Sequence, residues 1–110
     1  MCAAQTGIPE HHTSIRERFP ILADTLDGLG AAVRDAGPLD SKTAHLVQLA
    51  ASASIRSEGA VHSHTRRAMQ EGATPDEIRH TLVLLTSTIG FPTVAAALSW
   101  SDDVLEESVV

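Results

Sequence analysis

Three of the chain's six histidines fall within SEGAVHSHTRRAMQEGATPDEIRH, the stretch from Ser57 to His80. An imidazole with an unperturbed pKa near ~6.5 can take up and return a proton at neutral pH, so each is a candidate acid/base group. For His64 two readings stand open. If residues 60–71 are helical, Ala60, His64 and Ala68 share one stripe at i, i+4 spacing, with Ser57 just upstream. The competing reading is a core histidine hydrogen-bonded to a carbonyl. Glu58 and His62 are also i, i+4 neighbours and read as a solvated pair sooner than as a dyad. A zinc-type site built from His45, His62 and His64 is a further possibility. Against it, His62 and His64 are two apart and point about 160–200° apart on a helix. They could share an ion only across a symmetric subunit interface. Arg56, Arg66 and Arg67 read as solvated, although one could grip a substrate carboxylate through two parallel hydrogen bonds. His80 reads as structural or interfacial, and His11 and His12 as part of a tail.

Sulfur chemistry is constrained at once. Cys2 is the only cysteine, so the chain forms no internal disulfide and no cysteine-based metal site. Nothing near Cys2 in sequence lowers its pKa towards a reactive thiolate. The formal net charge of -6 argues against nucleic acid, whose binders need basic surface to displace counterions. It argues equally against a polybasic membrane contact. No apolar run reaches the ~20 residues a spanning helix requires. The opening MCAAQTGIPEHHTS lacks a basic start and a long apolar stretch, so it does not read as a secretory signal. A cytoplasmic location is the expectation.

These side chains must be held by helices. At 110 residues the chain has room for one domain. No segment alternates with period two between hairpin turns, so no sheet is expected and the fold class is all-α, a single-domain bundle of about five helices. Residues 1–18 read as a partly frayed lead-in and residues 19–110 as the helical domain. The first helix, Pro20 to Ala36, carries Ile21, Leu22, Leu26, Leu29 and Val33 as one apolar stripe. Pro20 suits a first helical position and Gly37-Pro38 a stop. Gly28 and Gly30, each costing roughly 1 kcal/mol against Ala in a helix, suggest close packing or a bend. The second helix runs from about Ser41 to Ser57 with Asp40 as cap, and Gly59 permits a kink or break. The third covers about Ala60 to Glu71 and stops at Gly72. The fourth opens on a capping box at Thr74-Pro75-Asp76-Glu77 and runs to Ile89. The fifth spans about Pro92 to Glu107, and its acidic end, Asp102 to Glu107, reads as a solvated face.

The core is unusual in kind. With no Tyr, one Trp and two Phe, Ala, Leu, Val and Ile must fill it, and small side chains bury less area each. HTLVLLTSTIG, His80 to Gly90, and TVAAALSW, Thr93 to Trp100, are nonpolar or merely hydroxylic on nearly every face. Such helices need cover all round. In so short a chain the expected cover is another copy, making the protein a homo-oligomer.

The order LDSKTAHLVQLAASASIRSEGAVHSHTRRAMQEGATPDEIRHTLVLLTSTIGFPTVAAALSW resembles the carboxymuconolactone decarboxylase and alkylhydroperoxidase-D superfamily over roughly Phe19 to Trp100. HTRRAMQEGATPDEI and GFPTVAAAL carry most of the likeness. The resemblance implies an all-helical protomer assembled into rings, commonly trimers or hexamers. In the redox branch a Cys-x-x-Cys pair reduces hydroperoxides, with a glutamate twelve residues before the first cysteine and a histidine four after the second as proton relay. Laid on this chain, those positions are Ser57 and Ala60 for the cysteines, His45 for the glutamate, and His64 for the histidine. Only the histidine is kept. Without a thiolate to attack and a second thiol to resolve the sulfenic acid, that route is closed. The decarboxylase branch lacks the cysteine pair, keeps the histidine and has a glutamate where Glu58 stands. It removes CO2 from a small carboxylated lactone without metal or organic cofactor.

The resulting expectation is a cofactor-free small-molecule lyase or isomerase with His64 as acid/base. His45 would serve as relay, and Ser57 and Glu58 would complete the site. The alternative is a non-catalytic member that binds a small ligand or acts as a scaffold. A peroxiredoxin-like antioxidant and a histidine metal site rank below both.

Overall fold

The structure, a computed structural model, describes residues 10–109, with side-chain surroundings for residues 14–107. Cys2 and the first half of the lead-in lie outside the described residues, as do the side chains of His11 and His12. All regular structure among the described residues is α-helical, as the period-3.6 patterning requires. No helix among them is long and apolar enough to cross a membrane. The chain divides between Leu39 and Asp40 into two compact units.

The first unit holds α1 (Glu10–Arg18) and α2 (Pro20–Asp35). The second half of the stretch read as a lead-in is thus helical. Its sequence, EHHTSIRER, is polar, and ion pairing supports it. Arg16 contacts Asp24 at 3.1 Å and also Asp27, both on α2. The two carboxylates, Asp27 first, raise the Arg16 guanidinium above its ordinary pKa. On α2 the apolar stripe is present but uncovered: Ile21 is 81% exposed, and Leu22, Leu26, Leu29 and Val33 are all exposed. The two α2 glycines do not mark close packing. A Cβ at Gly28 would meet open space, and one at Gly30 would meet only the end of the Arg34 side chain.

The second unit holds α3 (Ser41–Ser54), α4 (Glu58–Gln70), α5 (Pro75–Val83), α6 (Thr86–Ile89) and α7 (Phe91–Val109). Leu49, Ala53, Val61, Ala68, Ile78, Leu82, Ala97 and Leu105 form its core. No aromatic residue is among the fully buried side chains, and Trp100 packs at the margin. The Thr93–Trp100 stretch, expected to need outside cover, buries Val94 and Ala97 within its own chain. Val83, Leu84 and Phe91 remain exposed.

Local signals explain most boundaries. Asp40 accepts a hydrogen bond from the Thr43 N–H at 2.8 Å and caps α3. Thr74 and Glu77 close the capping box in both directions, at 2.9 and 3.1 Å, and start α5. Gly72 ends α4 with φ +99°, a left-handed conformation that favours glycine.

Two boundaries differ from expectation. The break after α3 falls at Arg56 rather than Gly59, which lies inside α4. Arg56 takes φ 58°. Its N–H donates to the Ala53 carbonyl, and the Ser57 N–H to the Ser52 carbonyl, each at 3.0 Å. This is the helix-ending pattern in which glycine usually occupies the left-handed position. Here an arginine does so, and its Nη1 donates to Thr93 Oγ1 at 2.8 Å. The fourth segment is also interrupted, into α5 and α6. The Thr86 hydroxyl donates to the Val83 carbonyl at 2.7 Å. Such side-chain bonds compete with regular helical ones.

Candidate functional site

The turn at Arg56 sets where α4 begins, and so which way its histidines point. Ser57 is the N-cap residue, its hydroxyl accepting from the Ala60 N–H at 3.4 Å. From there α4 packs on α3 along one side and on α7 along another. Val61, Thr65 and Ala68 are its buried positions. His62 and His64 therefore leave the helix on different sides, as their two-residue spacing demands.

His64 meets His45 of α3. Their Nδ1 atoms lie 3.5 Å apart, with ring centroids 5.7 Å apart and planes tilted by 39°. His45 is 4% exposed and His64 half-buried. At this separation one Nδ1 can donate only if the other is unprotonated, since each ring nitrogen is donor or acceptor according to its tautomer. The pair can thus hold one proton between two nitrogens and pass it across. On α3, the Gln48 carboxamide lies one turn beyond His45. Its Oε1 is buried without a hydrogen-bond partner among the described residues.

His62 belongs to a different group. Its Nε2 lies 3.1 Å from Asp103 Oδ2 of α7. Glu58 joins them, one ligand-type atom of each of the three lying within 4.8 Å of the others. Of the four residues expected at the site, the structure thus brings His45 and His64 together and uses Ser57 as a cap. It groups Glu58 with His62 and Asp103. Within one chain His62 stands apart from the other two histidines: His45 and His64 approach each other, while His62 Nε2 meets Asp103.

Asp103 was missed by sequence reasoning. It stands 41 positions from His62 in a stretch that reads as solvated face, and no local pattern links the two. Its neighbour Asp102 is taken by Arg79 Nε at 3.2 Å. Arg66 is half-buried, and burial lowers its pKa while Glu107 raises it. Its Nε has no hydrogen-bond partner among the described residues.

The family model of the carboxymuconolactone decarboxylase family matches residues 20–103. The chain belongs to this family. The matched span runs from the start of α2 into α7 and contains both His45 and His64. No curated protein and no solved structure matches the chain. With Cys2 as its only cysteine, this carboxymuconolactone decarboxylase family member has no Cys-x-x-Cys pair. The two positions that resemble the redox branch's cysteines are the N-cap and third residue of α4. Ser57 and Ala60 occupy them and are joined by the capping hydrogen bond.

Proposed function

We propose that the protein is a cofactor-free lyase or isomerase acting on a small carboxylated or lactone-type molecule, with His64 as the acid/base and His45 as its proton relay. The observation that carries this reading is the 3.5 Å approach of the two Nδ1 atoms. Family membership supports it, as does the lack of a second cysteine for thiol peroxidase chemistry.

On a carboxylated unsaturated lactone the reaction is a decarboxylation completed by return of a proton to carbon. The bond from ring carbon to carboxylate breaks, CO2 leaves, and the electron pair moves into the unsaturated lactone as an enolate-like anion. The protonated imidazole of His64 then delivers its proton to carbon. A proton from solvent restores the pair, with His45 holding it against the Nδ1 of His64. A general acid in this role contributes roughly 10²–10⁴-fold to rate.

The test is CO2 release, or isomerisation followed spectroscopically, from a panel of small carboxylated lactones. His64→Ala is expected to lower kcat at least ~100-fold. His45→Ala is expected to lower it less and to shift the pH profile, and Cys2→Ser to leave it unchanged. Equal rates for wild type and His64→Ala would remove the assignment. Turnover of a hydroperoxide with a dithiol donor that survives Cys2→Ser would overturn the exclusion of thiol chemistry.

We also propose that the chain works as a homo-oligomer, with a trimer or hexamer implied by the family resemblance. The exposed Ile21, Leu22, Leu26, Leu29 and Val33 stripe of α2 favours this, because contiguous apolar patches mark interaction surfaces. Light scattering on wild type and Leu22→Glu/Leu26→Glu decides it: a monomeric wild type ends the proposal.

A further inference from the structure

The Glu58, His62 and Asp103 group lies on another side of α4 from the acid/base pair and takes no part in the proposed reaction. Glu58 and His62 are one turn apart on α4, the i, i+4 spacing at which two side chains on one helix face can reach one ion. Asp103 comes from α7, so the donors converge from two helices that already pack together. A zinc ion sits about 2.0–2.2 Å from nitrogen and oxygen donors, which places tetrahedral donors roughly 3.4 Å from each other. The His62 Nε2 and Asp103 Oδ2 atoms are at 3.1 Å, and all three donors lie within 4.8 Å of one another. Glu58 and Asp103 are exposed, so their carboxylates can close the remaining distance without disturbing the core. The cationic Arg66, one turn beyond His62, interacts with Glu107.

We propose that Glu58, His62 and Asp103 form a binding site for a divalent transition-metal ion of the zinc type. One imidazole and two carboxylates suit zinc or its first-row neighbours better than magnesium or calcium, which favour all-oxygen shells. The ion takes the place of the proton between His62 Nε2 and Asp103. That proton passes to solvent, or moves to Nδ1 if the ring was neutral. Three protein donors leave at least one position open to water or an anionic ligand. The ion would also tie α4 to α7. This assignment is independent of the acid/base reading of His64.

The test is a zinc titration of the full-length protein by calorimetry and by thermal unfolding, with magnesium as control. Wild type is expected to bind one zinc per chain at micromolar concentration, to melt higher with zinc, and to ignore equimolar magnesium. His62→Ala and Asp103→Asn are each expected to weaken zinc at least ~10-fold, the size typical of losing a metal-site partner. His80→Ala is expected to change nothing. His45→Ala separates the two histidine groups and is expected to leave zinc affinity intact. Absence of binding by wild type overturns the proposal. So does zinc affinity that survives both His62→Ala and Asp103→Asn, or that is lost in His45→Ala.

Discussion

Thr65 offers a direct test of how the core is built. Its side chain is 0% exposed, on the face of α4 that also buries Val61 one turn earlier. Its Oγ1 has no hydrogen-bond partner among the described residues. A buried hydroxyl left unpaired costs about 1–3 kcal/mol, because the water it bonded in the unfolded chain is not replaced. Valine has nearly the same shape and β-branching, and a similar helix propensity. Thr65→Val therefore removes the cost with little change in packing and is expected to stabilise the fold by about 1–2 kcal/mol. The reverse exchange at the equally buried Val61, Val61→Thr, adds a further orphan hydroxyl and is expected to destabilise by about 1–3 kcal/mol. In a domain of this size each kcal/mol moves Tm by roughly 4–8 °C. Urea and thermal unfolding followed by circular dichroism read both changes, at one fixed protein concentration because assembly shifts apparent stability. A loss of 1 kcal/mol or more in Thr65→Val refutes the reasoning. It would mean that the hydroxyl has a partner that valine cannot replace.

Gly28→Ala is expected to raise stability by up to about 1 kcal/mol, since the new Cβ meets open space in mid-helix; a lower unfolding midpoint would show that the position is covered. Gly72→Ala should do the opposite by a similar amount, because φ +99° strains any residue with a Cβ. Acid should loosen the second unit. Asp40 is held below the ordinary carboxylate range by the Thr43 N–H, and Glu77 by the Thr74 N–H and then Lys42. A depressed folded pKa gives stability that is fully present above the unfolded value and is lost as pH falls through the folded one. Denaturation midpoints should therefore drop on going from neutral to about pH 3, and less so in Glu77→Gln. An identical drop in that variant would remove Glu77 from the account.

Helix starts and stops were legible wherever the signal was local. The Asp40 cap, the Thr74–Glu77 box, the stop at Gly72 and the apolar stripe of α2 depend on residues within a few positions of each other, and propensity alone sets them. The break at Arg56 was not legible, because nothing in the sequence marks an arginine for left-handed backbone. The surrounding fold imposes it, and the bond to Thr93 lies 37 positions away. The interruption between α5 and α6 was hidden for a similar reason: no glycine or proline stands there, only a threonine hydroxyl that competes for a carbonyl. At the candidate site both His64 and His45 were chosen through the family resemblance, since spacing alone left His64 open to a core reading and 19 positions separate the pair. Their 3.5 Å approach follows from the packing of α3 on α4. The partnership of His62 with Asp103 had no trace in the sequence. Helical periodicity says which face a residue occupies, but the packing of one helix on another decides what that face meets.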